Sequence, residues 1–245
     1  MEENPNIIVT FLAEGISRIK LNEPGNYNAL SSRTIKSLIG IFKSLNDDNK
    51  TKVIIIEGSG KGFSGGHDLK EIRSLKKKSK YKKLFNLCSK LMLEIVESKK
   101  PVIAKVHGAA FAAGCQLVAS CDLAVAVEDA RFAVSGINVG LFCSTPAVPL
   151  SRSLLRKQAM KMLFTGEFIS ASKAQEYGLI NEVVPVEELE SATNELASKI
   201  VAKSAYAIRL GKEMFYKQLP MDLAVSNHTV IDADSRHLEC VSVCY

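Results

Sequence analysis

Three short apolar runs, Val53–Ile56, Val102–Val106 and Leu123–Val127, constrain this chain most. Each is too short for a helix and lies between segments of helical periodicity, so each reads as a buried strand. Ile35, Leu38, Ile39, Phe42 and Leu45 recur at helical spacing, which predicts a helix over Ser32–Asn46. Leu84, Leu87, Cys88, Leu91 and Ile95 predict a second amphipathic helix. Two strands open the chain, Ile7–Leu12 and Ile16–Leu21, with Ala13-Glu14-Gly15 turning between them. Strands and helices then alternate to about residue 150, which argues for an α/β core. Two loops interrupt the alternation. Residues 58–66 hold five glycines, and Gly108–Gly114 is a run of small residues ahead of a short helix that includes Leu117–Ser120.

The last hundred residues change character. Ala159–Phe164, Ser170–Tyr177, Val186–Ala202 and Ala205–Lys217 read as helices, with Ser170 as an N-cap and Gly178 as a stop. Only Ile180–Val184 reads as a strand there. A length of 245 residues allows one large domain, or a core with an appendage, and a core of that size needs no disulfide or metal.

The net charge is +6, and much of the excess lies in six lysines between Lys76 and Lys83. The plain reading is a solvated loop; the functional reading is a basic rim for a phosphorylated ligand. A nucleic-acid surface is the poorer fit, because the run carries Tyr81 but no series of interleaved aromatics. Cys88, Cys115, Cys121, Cys143, Cys240 and Cys244 form no C-x-x-C pair, so reduced thiols are expected. The N-terminus lacks the basic and apolar regions of a signal peptide, and no window offers the ~18 apolar residues of a membrane span. The expectation is a cytoplasmic protein, or a matrix protein whose transit peptide has been removed.

Several segments carry a resemblance. They are Leu21-Asn22-x-Pro24 with Asn28-Ala29-Leu30, then Gly62-Phe63-Ser64-Gly65-Gly66-His67-Asp68-Leu69, then Lys100-Pro101-Val102-Ile103-Ala104 with Gly108–Gly114. Cys121-Asp122-Leu123 follows, and finally Thr165-Gly166, Ala174, Gly178-Leu179-Ile180 and Val183-Val184-Pro185. In this order the chain resembles the crotonase, or enoyl-CoA hydratase/isomerase, superfamily over residues 7–220. Phe142-Cys143-Ser144-Thr145-Pro146 and Phe215-Tyr216-Lys217-Gln218-Leu219-Pro220 resemble one branch of it.

The resemblance implies an α/β spiral of β-β-α turns over residues 1–185, followed by a helical C-terminal oligomerisation region over 186–245. It implies a homotrimer or hexamer. The ligand would be an acyl-CoA thioester, with coenzyme A entering as part of the substrate and no permanently bound cofactor or metal. An oxyanion hole is expected, in which backbone N–H groups of Gly65 and Ala113 stabilise a thioester enolate. Gly65 is expected to sit in a turn that tolerates almost no side chain. Gly66, Asp68, Leu69, Lys70 and Gly114 fall beside the expected coenzyme A groove, and Lys70 with the lysine run could meet its phosphates.

Departures from the pattern bear on chemistry. Hydration of an enoyl thioester needs one group to activate water and another to protonate the α-carbon. The two glutamate positions of the hydratases hold Gln116 and Gly136 here, and a third acidic position holds Ser144. Glutamine binds water but cannot take its proton near neutral pH. His67 is the candidate replacement, with Asn138 and Cys143 as further polar groups, and the stretch 63–68 also resembles a methylmalonyl-CoA decarboxylase branch. His107 is expected to be structural. Glu23 stands where many relatives carry a phosphate-binding cation, and the last twelve residues depart from the usual terminal helix. Two readings follow: an acyl-CoA enzyme with weak or non-hydratase activity, including base-free decarboxylation, or a catalytically silent acyl-CoA binder.

Overall fold

The computed structural model describes residues 5–222. The terminal segment, with His228, His237, Cys240 and Cys244, lies outside the described residues. An antiparallel hairpin opens the fold, β1 (Ile7–Phe11) against β2 (Ile16–Leu21). Next come α1 (Ser32–Asp47), β3 (Val53–Gly58), α2 (Leu69–Ser74), α3 (Lys78–Val96), β4 (Val102–Val106), β5 (Ala109–Phe111), α4 (Ala113–Ser120), β6 (Leu123–Val127) and β7 (Arg131–Ala133). The rest is α5 (Ser144–Ser153), α6 (Arg156–Thr165), β8 (Ile169–Ser170), α7 (Ala171–Tyr177), β9 (Glu182–Val184), α8 (Leu189–Val201) and α9 (Ala205–Gln218).

The main sheet has the order β1-β2-β3-β4-β6-β9 and is parallel from β2 onward. A second sheet, β5-β7-β8, stands beside it. Ser64 bridges to Ala110, so the loop after β3 adds to the edge of that second sheet. Successive turns of the chain therefore run main strand, minor strand, helix, which is a spiral of β-β-α turns. The apolar runs fill the centre: Ile54, Ile56, Val102, Ala104 and Val125 pack against Leu38, Phe42, Leu91 and Ile95 of α1 and α3.

Several expectations are corrected. Gly108–Gly114 is not all loop, because β5 runs through it. The lysine run is not all loop either: Lys78–Lys83 form the first turns of α3, and all six lysines remain exposed. Helix α5 lies where no element was predicted; Pro146 falls in its first turn, where a missing N–H costs little, and Pro149 lies inside it. Ser170 does cap α7, accepting from the Lys173 N–H, and Gly178 ends it at φ +85°.

Two ionic clusters seat the last helices. Glu190 of α8 meets Arg18 and Lys105, and Lys105 also lies 2.8 Å from buried Glu57 of β3. Lys212 of α9 reaches Asp122 at 2.7 Å, while the Tyr216 hydroxyl donates to the other Asp122 oxygen at 3.0 Å. Asp122 also accepts the Val102 N–H at 2.7 Å, so it ties α9 to the start of β4.

Candidate functional site

The two small-residue loops meet at the carboxyl ends of β3 and β4. Asn28 organises the first. It is buried at φ +51°, a conformation asparagine tolerates better than most residues. Its amide donates to the carbonyls of Ser59 and Gly62, each at 2.8 Å, and its Oδ1 accepts the Glu23 N–H at 3.0 Å. The Ser64 hydroxyl donates to the Asn28 carbonyl at 2.9 Å. The Ser64 N–H donates to Ala109 and the Phe111 N–H to Ser64, at 3.0 and 2.9 Å, which locks the loop onto β5.

Close approach follows. A Cβ on Gly66, at φ +88°, would lie 2.7 Å from the Phe111 carbonyl and 2.9 Å from the Ala113 nitrogen. A Cβ on Gly114 would lie 2.2 Å from the Ser64 carbonyl. Gly66 therefore sits against Ala112–Ala113, and Ser64 against Gly114, at the N-terminus of α4. Ala112 holds φ +48°, ψ −114°, a conformation that costs a non-glycine residue of order 1–3 kcal/mol and is kept only where its surroundings impose it. Ala113 is the first residue of α4, so its N–H has no intrahelical acceptor.

The expected demand for glycine at 65 is corrected. Gly65 is exposed, and a Cβ there meets nothing closer than the Tyr27 Cβ at 3.4 Å; the intolerant position is Gly66. The Gly65 N–H is also already engaged, donating to the Tyr27 carbonyl at 2.8 Å. Tyr27, like Asn28, has positive φ, at +49°.

Gln116 is buried in α4, and its Oε1 has no hydrogen-bond partner among the described residues. An orphaned buried carbonyl costs about 1–3 kcal/mol, so it marks a place where a donor is needed. Gly136 follows β7 in a short 3-10 turn, and a Cβ there would sit 2.5 Å from the Leu141 carbonyl and 2.7 Å from the Cys143 sulfur. This backbone leaves no room for a glutamate. Ser144 is exposed at the start of α5. Cys143 is buried, and that burial raises its thiol above the ordinary range despite the Gly136 N–H on its sulfur. It is not an activated nucleophile.

His67 packs edge-on against Phe85 at 5.5 Å, and its Nδ1 lies 3.3 Å from the Leu30 carbonyl. Burial lowers its pKa, outweighing the Leu30 carbonyl and Glu71, so the ring is neutral near pH 7. Its Nε2 is buried and unpartnered among the described residues. Asp68 has a structural role: its carboxylate caps α2, accepting the Lys70 and Glu71 N–H groups at 2.8 and 3.2 Å. Leu69 and Lys70 lie exposed on that helix. Glu23 accepts the Thr34 hydroxyl at 3.2 Å, and His107 lies 2.9 Å from the Gly60 carbonyl, as befits a structural histidine. Among the described residues no helix is long and apolar enough to cross a membrane.

Sequence reasoning missed two residues of this site. Asn28 was part of a recognised motif, yet nothing in that motif signals that one amide holds the whole loop. Ala112 gave no signal, because strain there exists only once the loop is folded.

A two-sheet spiral whose glycine loops converge on a helix N-terminus is the crotonase fold, and the comparisons agree. The enoyl-CoA hydratase/isomerase family model matches residues 12–239, and the chain belongs to that family. Within it, the chain is 49% identical to enoyl-CoA hydratase domain-containing protein 3, mitochondrial, of Homo sapiens over 220 residues, covering 90% of this chain and 73% of that protein. The Rattus norvegicus protein of the same name is 47% identical over 225 residues, covering 92% and 75%. An enoyl-CoA hydratase from Mycobacterium smegmatis superposes with a TM-score of 0.94 at 46% identity, covering 96% of this chain and 91% of that one. The crystal structure of the human domain-containing protein 3 gives 0.92 at 46% identity, covering 96% and 92%.

Proposed function

We propose that the chain binds an acyl-CoA thioester at the meeting of the two loops and stabilises its enolate there, with weak or no hydratase activity. One observation carries the reading: a strained, small-residue backbone cradle stands at the N-terminus of α4, with the buried amide of Gln116 in the same helix. The helix dipole and the Ala113 N–H both favour negative charge on a ligand oxygen. The Gly65 N–H is the second donor once the thioester oxygen replaces the Tyr27 carbonyl. Gln116 Oε1 accepts from a ligand hydroxyl or a bound water. Coenzyme A enters as part of the substrate, beside Gly66, Gly114 and Asp68-Leu69-Lys70.

Neither Gln116 nor Gly136 supplies a general base, and neutral His67 is no strong acid. This favours a second reading, in which the enolate arises by loss of carbon dioxide, or in which the chain binds its ligand without turnover. A panel of saturated, enoyl and malonyl-type CoA thioesters, followed for both binding and product, separates these readings. Binding of the panel is expected, and a panel that does not bind at all contradicts the proposal.

The same reading includes a homotrimer or a hexamer. It is supported by apolar side chains left exposed on one chain, Val139, Phe142, Leu155, Phe164 and Phe168 among them, because a patch of this kind marks an interaction surface. The same reading places the protein in the cytoplasm. The relatives are designated mitochondrial, and fractionation of cells expressing the protein distinguishes the two compartments.

A further inference from the structure

The cradle occupies the carboxyl ends of β3 and β4. At their amino ends lies a separate cavity of about 250 Å3. Its walls come from the segments that lead into β3 and β4, the end of α8 and the first turn of α9. Lys52, Lys99, Lys100, Lys203 and Arg209 line it, Asn49 adds an amide, and among the described residues no carboxylate does. Asp47 and Asp48 act on Lys99 and Lys100 from outside the lining. Asp47 reaches Lys99 at 3.3 Å. Asp48 attracts Lys100, but its carboxylate already accepts the Lys50 and Thr51 N–H groups, each at 3.1 Å, and the Thr51 hydroxyl at 2.6 Å. Among the described residues, the cavity lining itself holds five cations and no carboxylate.

Lys100 is the partly buried member of the set, the others being exposed. Partial burial, with the like charges of Lys99 and Arg209, holds its ammonium below the ordinary lysine range against the pull of Asp48 and Asp47. Cations that line one cavity repel one another unless an anion joins them. The walls are also held in place. Lys212, one turn after Arg209, donates to the Lys100 carbonyl at 3.0 Å and to Asp122 at 2.7 Å, which fixes α9 against the segment before β4.

We propose that this cavity binds a small, multiply charged phosphate anion, a diphosphate or phosphate ester. A monovalent anion would leave most of the excess charge unmatched. A cavity of about 250 Å3 suits a compact anion better than a nucleic-acid strand or a flat membrane. None of its lining residues belongs to the acyl-CoA cradle, so the two proposals stand or fall separately.

The experiment is calorimetric titration of the full chain with inorganic pyrophosphate at low ionic strength. Saturable binding, one anion per chain, is expected, weakening as salt is added. The double variant Lys100→Ala, Arg209→Ala should weaken it by about tenfold or more. Lys157→Ala, Lys161→Ala, which removes equal charge from the exposed face of α6, should leave it within about twofold. Circular dichroism verifies that both variants fold. Absence of saturable binding, or equal weakening by both variants, overturns the proposal. So does binding to phosphatidate-containing vesicles with no binding of pyrophosphate.

Discussion

Gly65 and Gly66 are neighbours with opposite demands. Gly65 has space for a methyl group, whereas Gly66 combines positive φ with a backbone wall. Gly65→Ala is expected to denature in urea like the wild type. Gly66→Ala should lose about 1–3 kcal/mol or more, from strained backbone and from contact with the Phe111 carbonyl. Equal stability of the two variants would show that the loop is not seated on β5 as described. From sequence, both glycines belong to one motif and cannot be ranked, because what separates them is a contact with a segment more than forty positions away. The same holds for Gln116. Its identity is plain in the sequence, but its burial without an acceptor's partner emerges only with α4 in place.

At the scale of elements, the main strands were legible because their burial is written in consecutive apolar residues. The second sheet was not. Arg131–Ala133 and Ile169–Ser170 are strands of three and two residues, too short to carry a period, and they exist because the spiral brings partners to them. The seating of α8 was also hidden, since it depends on Glu57 and Lys105 at the ends of apolar runs. Glu190 shows how this seating responds to acid. Burial by itself would raise its pKa, but hydrogen bonds from Lys105, Arg18 and Asn194 bring it down to about 2 from the ordinary 4.5. A carboxylate with a lowered folded pKa stabilises the fold above the unfolded value and loses that contribution as pH falls through the folded one. Glu190→Gln should therefore cost about 1 kcal/mol at neutral pH, a charge-assisted bond discounted for its half exposure. The difference from wild type should shrink between pH 4.5 and pH 2. A difference in urea stability that does not change with pH would show that the ion pairs do not hold α8.

At the scale of the whole molecule, net charge was legible as a number and misleading as a location. The lysine run that drew attention in the sequence projects into solvent from the start of α3. The cations that share a cavity are scattered from Lys52 to Arg209 and converge only in the fold. Assembly belongs to this scale too. Light scattering at micromolar concentration is expected to give about three or six times the 26.7 kDa chain mass. A particle of 26.7 kDa would mean that the exposed phenylalanines near α6 have no partner in solution.

A cradle for acyl-CoA that lacks the carboxylates of hydration should bind an enoyl thioester without hydrating it efficiently. The decisive measurement is steady-state hydration of crotonyl-CoA, with binding measured alongside, for the wild type and Gln116→Glu. The wild type is expected to bind crotonyl-CoA but to hydrate it at least about 100-fold more slowly than a hydratase carrying both glutamates, since each general acid or base is worth roughly 10²–10⁴ in rate. Gln116→Glu is expected to gain hydratase or isomerase turnover, because a carboxylate then stands beside the cradle. Wild-type turnover within about tenfold of such a hydratase would contradict this reading.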